Sequence, residues 1–378
     1  MNDNPFTGLP DPEPERLTLY GFGPGFGESL VLHLPDGLWM VVDGCVWKGI
    51  NLPLALLDHF GQQEIDLLAV THPDEDHIRG LDELLYDKHV HTVWRYPFGS
   101  MVRDFLALQL ERSGPDADER LRTLFDLHEA FYEAARSGAV EIESGGVGTL
   151  TWTGREGRYE VVTLAPTTYD TQRMRDQFDH LIDFHRHGIE ATERMLAFLR
   201  GDRRWSDRPN SVSLAMSVRW GDVSLILGGD VENGCSHLMS GWKGILRRLT
   251  GDGRRRDRRA LLRDPSFVKV AHHGSGGSHD RDVWALHAHS GRVPLGLIMP
   301  FDRHRLPDLA GLLPLRDKVD HLMVTSRENC SERLIKADWR ASGMDPPSVP
   351  VPMVVVEFSE SGDTSFILGG DAAHFTRP

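Results

Sequence analysis

The ten residues Thr71-His72-Pro73-Asp74-Glu75-Asp76-His77-Ile78-Arg79-Gly80 concentrate more chemistry than any other stretch of the chain. They place two imidazoles and two carboxylates in the spacing H-x-D-x-D-H, and a tight loop whose side chains alternate in direction can converge them on one or two cations. Imidazole mixed with carboxylate suits zinc, manganese or iron. An acidic turn that merely caps the helix predicted over Ile78 to Leu85 would need one acid, not this set. The chain holds 19 histidines, several beside aspartates, so its chemistry is sought there.

Such a loop must be held by rigid elements. Ile65 to Val70 is a short apolar run that reads as a buried strand, and the loop leaves its C-terminal end, a common place for catalytic groups. Ahead of it, residues 17–45 read as three strands in a meander, with Pro35-Asp36-Gly37 as a hairpin turn. Beyond the strand around Thr92 to Trp94 the pattern turns helical over about 101–136 and 170–200, with strands between Leu150 and Pro166. Strand patterns return at Ser211 to Val218, Val223 to Gly228, Phe267 to Val270, Leu295 to Met299, Leu322 to Thr325, Met353 to Phe358 and Thr364 to Leu368. The expectation is one α/β domain spanning 1–378, with 101–205 a mainly helical insertion that shapes a substrate pocket or contacts a protein partner or a second copy. The heptapeptides ending at Asp230 and Asp371 echo one another, SLILGGD and SFILGGD.

Composition narrows the class. With 378 residues, 40% hydrophobic and 26% charged, the chain buries a large core. Its longest apolar runs fall far short of the roughly 18 residues a membrane span needs, so no membrane partner is expected. The N-terminus lacks a basic segment followed by an apolar one, which reads as no secretory signal and a cytoplasmic protein. Three scattered cysteines, Cys45, Cys235 and Cys330, exclude a C-x-x-C zinc knuckle and read as buried small hydrophobes. A net charge of -14 repels polyanions unless a bound metal or a local basic surface reverses the field.

The H-x-D-x-D-H loop resembles the H-x-H-x-D-H signature of the metallo-β-lactamase superfamily, with Asp74 in place of the middle histidine, a variant similar to the competence-protein nuclease branch. Other marks recur in order. Gly23-Pro24-Gly25-Phe26-Gly27-Glu28-Ser29 resembles that branch's opening G-x-G-[DE]-[AS] turn, and Val41-Val42-Asp43-Gly44 its L-I-D-x-G strand. Asp230 falls where the superfamily has a metal-bridging aspartate, and Val268-Lys269-Val270-Ala271-His272-His273-Gly274-Ser275 is similar to L-K-V-P-H-H-G-S. The resemblance implies an αββα sandwich, two divalent ions (Mn or Zn) and hydrolysis by a metal-bridging hydroxide. It implies His72, Asp74 and Asn210 on one ion, Asp76, His77 and His272 on the other, and Asp230 between them. Asp43 would orient a ligand histidine. Sequence does not separate His272 from His273; His272 is taken as the ligand and His273 as facing substrate in a catalytic role beside Asp76. Asn210 stands where the superfamily has a third histidine, which leaves a harder, oxygen-richer site that favours manganese.

Two further features bear on substrate. His304, in a segment resembling the branch's Y-G-H-P, could protonate a leaving group or neutralise a phosphoryl oxygen. Residues 247–263 hold eight arginines against two aspartates, and Arg254, Arg255, Arg256, Arg258 and Arg259 could steer a polyanion. The Asp74 variant, the His272-His273-Gly274-Ser275 motif and the arginine run favour a phosphodiester substrate, in nucleic acid or a nucleotide. A carboxylic ester, lactone or thioester hydrolase would use the same centre with an apolar pocket. A non-catalytic component of a multi-protein assembly, such as a bacterial defence system, would keep the metals as structure. Asp371 is left outside the site, since no histidine pair follows it.

Overall fold

The computed structural model describes residues 4–97, 101–138, 140–154, 157–183, 189–199, 209–250, 259–291, 293–342 and 349–376. Two mixed β-sheets lie face to face with helices on both outer surfaces. The first sheet runs, edge to edge, through Thr364–Gly369, Met353–Phe358, Leu17–Phe22, Ser29–Leu34, Leu38–Val42, Glu64–Val70, His89–Arg95 and Glu141–Ser144. The second runs through Arg340–Ala341, Ala373–Thr376, His321–Val324, Leu295–Ile298, Phe267–Lys269, Val223–Leu227, Ala215–Trp220, Tyr159–Ala165 and Thr151–Thr153. This is the expected αββα sandwich.

Three apolar layers explain the order. Between the sheets, Leu19, Leu32, Met40 and Leu67 from the first meet Met216, Leu225, Leu297 and Met323 from the second. On the outer face of the first sheet, Val31, Val41 and Leu68 pack beneath the helices Leu52–His59, Leu81–Asp87, Met101–Ser113 and Glu119–Ser137. On the outer face of the second, Ile226, Val268 and Ile298 lie beneath Gly241–Thr250, Arg281–His287, Leu309–Leu315 and Ser331–Lys336. The central strands are apolar on both faces, since each is covered on one side by the other sheet and on the other by helices. In the opening meander, Asp36 and Gly37 both take positive φ (71° and 75°), the twist a tight hairpin requires.

The helical region between the sheets' strands takes the form of Met101–Ser113, Glu119–Ser137, Thr168–Asp183 and Ile189–Leu199. None of the helices among the described residues is long and apolar enough to cross a membrane. Cys45, Cys235 and Cys330 are free, the first and last buried.

The arrangement of parallel strands sets the site. Leu38–Val42 runs parallel to Glu64–Val70, while Val223–Leu227, Phe267–Lys269, Leu295–Ile298 and His321–Val324 run parallel in series. Their C-terminal ends open on one edge of the sandwich, and the loops that follow them meet there. A backbone hydrogen bond from Leu214 N to Thr71 O, 3.0 Å, ties the two sheets together at that edge.

Candidate metal centre

The H-x-D-x-D-H loop leaves the strand Glu64–Val70 and closes into one helical turn, Glu75–Ile78. Its backbone is fastened from both sides: Glu28 N donates to Asp76 O at 2.9 Å and Gly44 N to His77 O at 2.7 Å. The side chain of Asn51, which caps the helix Leu52–His59, donates to Gly80 O at 2.7 Å where the loop ends.

One carboxylate sets the protonation pattern of two histidines. Asp43, at the end of Leu38–Val42, accepts from Thr71 N and Thr71 Oγ1, each at 2.7 Å, and from His77 Nδ1 at 2.8 Å. The hydroxyl proton of Thr71 is spent on Asp43, so at its 2.9 Å contact with His72 Nδ1 the histidine is the donor. His273 Nδ1 donates to Met299 O at 3.0 Å. All three imidazoles therefore carry hydrogen on Nδ1 and aim Nε2 at a common centre, the arrangement a metal-binding histidine needs.

The gaps in that centre fit shared cations. Asp76 Oδ2 lies 3.2 Å from His273 Nε2 and 3.5 Å from His77 Nε2. Asp230 Oδ2 lies 3.4 Å from His273 Nε2, 3.6 Å from His77 Nε2 and 3.8 Å from His72 Nε2, and Asp74 Oδ2 is 3.5 Å from His72 Nε2. Metal–ligand bonds of about 2.0–2.2 Å put tetrahedral ligand atoms roughly 3.3–3.6 Å apart. His72 Nε2, His77 Nε2 and Asp74 Oδ1 are buried without a hydrogen-bond partner, an arrangement that costs stability unless a ligand satisfies it. Among the described residues, Glu28, His77, Asp230 and His273 also bring ligand atoms within 4.8 Å of one another.

Glu28, however, faces a lysine. Lys269, wholly buried in the strand Phe267–Lys269, sits 2.5 Å from Glu28 Oε1 and 3.7 Å from Asp230 Oδ1, and donates to Gly229 O at 3.0 Å. Glu28 Oε2 is 3.1 Å from His273 Nδ1, so this carboxylate backs the imidazole from behind. Burial alone would raise the Glu28 carboxyl; Lys269, His273 and His77 outweigh it and hold it at about 2. Burial likewise works against the Lys269 ammonium, but Glu28 and Asp230 lift it above its ordinary value. The same contest leaves His77 and His273 well above the usual histidine range, against burial, under the pull of Asp230 and its neighbouring acids. Asp76 and Asp230, which burial would raise, are held below the usual carboxylate range chiefly by His77 and His273.

The two adjacent histidines exchange the places expected for them. His273, not His272, turns inward and is buried, stacked on Phe301 with ring centroids 5.0 Å apart. His272 Nε2 accepts instead from Asn210 Nδ2 at 3.2 Å, and its Nδ1 lies 3.6 Å from Glu232. The reason is local backbone: His272, His273 and Gly274 all have positive φ (50°, 51° and 79°), a left-handed turn that sequence spacing does not reveal. Asn210, Asp230, His272 and His304 all line one pocket of about 510 Å³ with Asp74 and Asp76. His304 is on its exposed rim. Arg254, Arg255, Arg256 and Arg258 lie outside the described residues, and Arg259 stands in the turn Arg259–Leu262.

The repeated LGGD is turn chemistry. Gly229 has φ 49°, and a Cβ there would meet Leu214 O at 2.3 Å, so only glycine lets the chain swing Asp230 into the centre. Gly370 makes a similar turn at φ 57°, but Asp371 accepts from Ser326 Oγ and Glu328 N instead. The roles of Glu28 and Lys269 were not read from sequence, although both lie in quoted motifs; a lysine ending an apolar strand was the available signal.

No family model matches the sequence, and no curated protein matches it. Among solved structures, the chain is similar to the metallo-beta-lactamase fold protein YhfI from Bacillus subtilis, at 8% identity over 75% of this chain and 86% of that one, with a TM-score of 0.36. It is also similar to CmlA, a diiron beta-hydroxylase from Streptomyces venezuelae (15% identity, 74% of this chain and 52% of that one, TM-score 0.31). A third is Zn(2+)-bound PqqB from Methylobacterium extorquens (11% identity, 67% of this chain and 71% of that one, TM-score 0.31). The chain spans 36% of the length of a mutant CmlA beta-hydroxylase, about a third.

Proposed function

We propose that the protein is a metal-dependent phosphodiesterase acting on nucleic acid or a nucleotide, with a metallo-β-lactamase-like centre for two divalent ions. His72 and Asp74, with Asn210 beside them, would hold one ion, Asp76, His77 and His273 the other, and Asp230 would serve both. The observation that carries the reading is the single oxygen Asp230 Oδ2 at 3.4–3.8 Å from three imidazole Nε2 atoms, two of them buried with no hydrogen-bond partner. Ions bound there supply Lewis acidity and a water acidic enough to ionise near neutral pH.

The chain's own groups do the rest. Asp43 and Thr71 hold hydrogen on Nδ1 of His72 and His77, and Met299 O with Glu28 does so for His273, so that Nε2 is the atom each offers to an ion. Lys269 holds Glu28 and Asp230 in place from beneath. At the mouth, Arg120, Arg303 and His304 line the pocket, and cationic walls suit a phosphoryl group better than a neutral carboxylic ester. His304 is the proton donor for the leaving group.

Cleavage of bis-p-nitrophenyl phosphate by protein loaded with Mn²⁺ tests this. We expect activity that is lost in Asp76→Ala and His77→Ala while the thermal transition persists. Loaded protein that leaves phosphodiesters intact but opens lactones or thioesters would replace this reading with the ester-hydrolase one.

A further inference from the structure

The rim of the pocket carries a charged cluster that the two-ion chemistry does not use. Glu75 sits between the ligand candidates Asp74 and Asp76, yet its carboxylate turns away from the centre. Its Oε2 is 3.2 Å from Arg120 Nε and 3.5 Å from Arg303 Nη1, and its Oε1 is 3.8 Å from Arg79. Arg79 is held in turn by Glu119 at 2.8 Å. Three guanidinium groups and two carboxylates thus make up the cluster.

The geometry of this cluster is built rather than incidental. Arg120 comes from the first turn of Glu119–Ser137, in the helical insertion; Arg303 comes from the turn after Leu295–Ile298, in the second sheet; Glu75 comes from the metal loop of the first. Arg303 also lies over the ring of Phe26, 4.6 Å from its centroid, which fixes the guanidinium plane. Arg120 and Arg303 both line the 510 Å³ pocket, a volume that suits a ligand of nucleotide size.

We propose that Arg120 and Arg303, gathered by Glu75, dock a second anionic group of the substrate, so that the preferred substrate is a compact phosphodiester bearing a terminal phosphate rather than the interior of a long polymer. This rests on the phosphodiesterase reading above and names the substrate class for it. An arginine fork recognises a terminal phosphate bidentately, with more donors than a diester in mid-chain can engage. The insertion, through Arg120, then selects substrate.

The test compares the dinucleotides pTpT and TpT as substrates, and thymidine 3′,5′-bisphosphate with thymidine 3′-monophosphate as ligands, for Mn²⁺-loaded wild type, Arg120→Ala, Arg303→Ala and the double variant. Expected for wild type is a KM for pTpT at least about tenfold below that for TpT, and a similar ratio of dissociation constants for the two ligands. Both ratios should fall to about one in the double variant. Arg303 stands on an exposed turn, so Arg303→Ala keeps the comparison available if Arg120→Ala unfolds. Equal binding of the two ligands by wild type, or a preference that survives in the double variant, would overturn the inference. If wild type cleaves neither dinucleotide, the phosphodiesterase reading fails, and the binding ratios still decide the anion site.

Discussion

Asp43 is the residue through which the centre is most sensitive to a change outside it. Its carboxylate orients His77 directly and His72 by way of Thr71, so Asp43→Ala frees two imidazoles at once. We expect metal affinity to fall by about 10–100-fold, measured by competition with a chromophoric chelator; unchanged affinity would mean the histidines are held by something else. Lys269 makes a different demand. Lys269→Met strands Glu28 and Asp230 as buried charges, and breaking such a pair costs about 3–5 kcal/mol. Urea unfolding should show that loss in metal-free Lys269→Met and recover much of it in Glu28→Gln/Lys269→Met. A single variant as stable as wild type would show that the ion pair contributes nothing. At this scale the sequence was informative about residue type and poor about direction. The H-x-D-x-D-H spacing announced a cation site because each member is chemically costly to bury otherwise. His272 and His273 were not separable, since which of two neighbours points inward depends on a left-handed turn with no spacing signature.

At the scale of elements, the helix Glu119–Ser137 is tied to the end of the strand His89–Arg95 through His128, whose Nε2 lies 3.2 Å from Tyr96 Oη. Burial pushes His128 down to about 3, with Arg95 acting in the same direction. His287, which ends the helix Arg281–His287, and His279, just ahead of that helix, are pushed down by burial to about 4. A histidine that is neutral when folded takes up its proton near pH 6.5 once unfolded. The stability is therefore complete above pH 6.5 and lost as pH falls from there toward the folded values. Between pH 7 and pH 5 each should cost about 2 kcal/mol. His128→Leu should give a shallower decline of stability on acidification than wild type; parallel curves for the two proteins would contradict this. Strands and helices were largely legible from the sequence because the central strands are apolar on both faces. The LGGD echo was legible too, but it marks a shared glycine turn, and only Asp230 of the pair reaches the centre.

Across the whole molecule, a net charge of -14 surrounds a centre of buried acids, which Lys269 and the imidazoles of His77 and His273 face from within. Cations compete with protons for Nε2 of these histidines, and metal affinity should therefore weaken as pH falls below neutrality; affinity independent of pH between 8 and 6 would count against histidine ligation. The sandwich brings the C-terminal ends of parallel strands from both sheets to one edge, where the loops that carry His72 to His77, Asp230 and His273 meet. The pairing of those loops was implied by resemblance, whereas their meeting follows from strand order. The most direct measurement is a calorimetric titration of chelator-treated protein with Mn²⁺ and with Zn²⁺, with elemental analysis of the product and Asp230→Ala alongside. About two ions per chain should be taken up by wild type, with a clear loss in Asp230→Ala and a raised thermal transition only where metal is bound. Failure of wild type to retain either ion at stoichiometric levels would contradict the account.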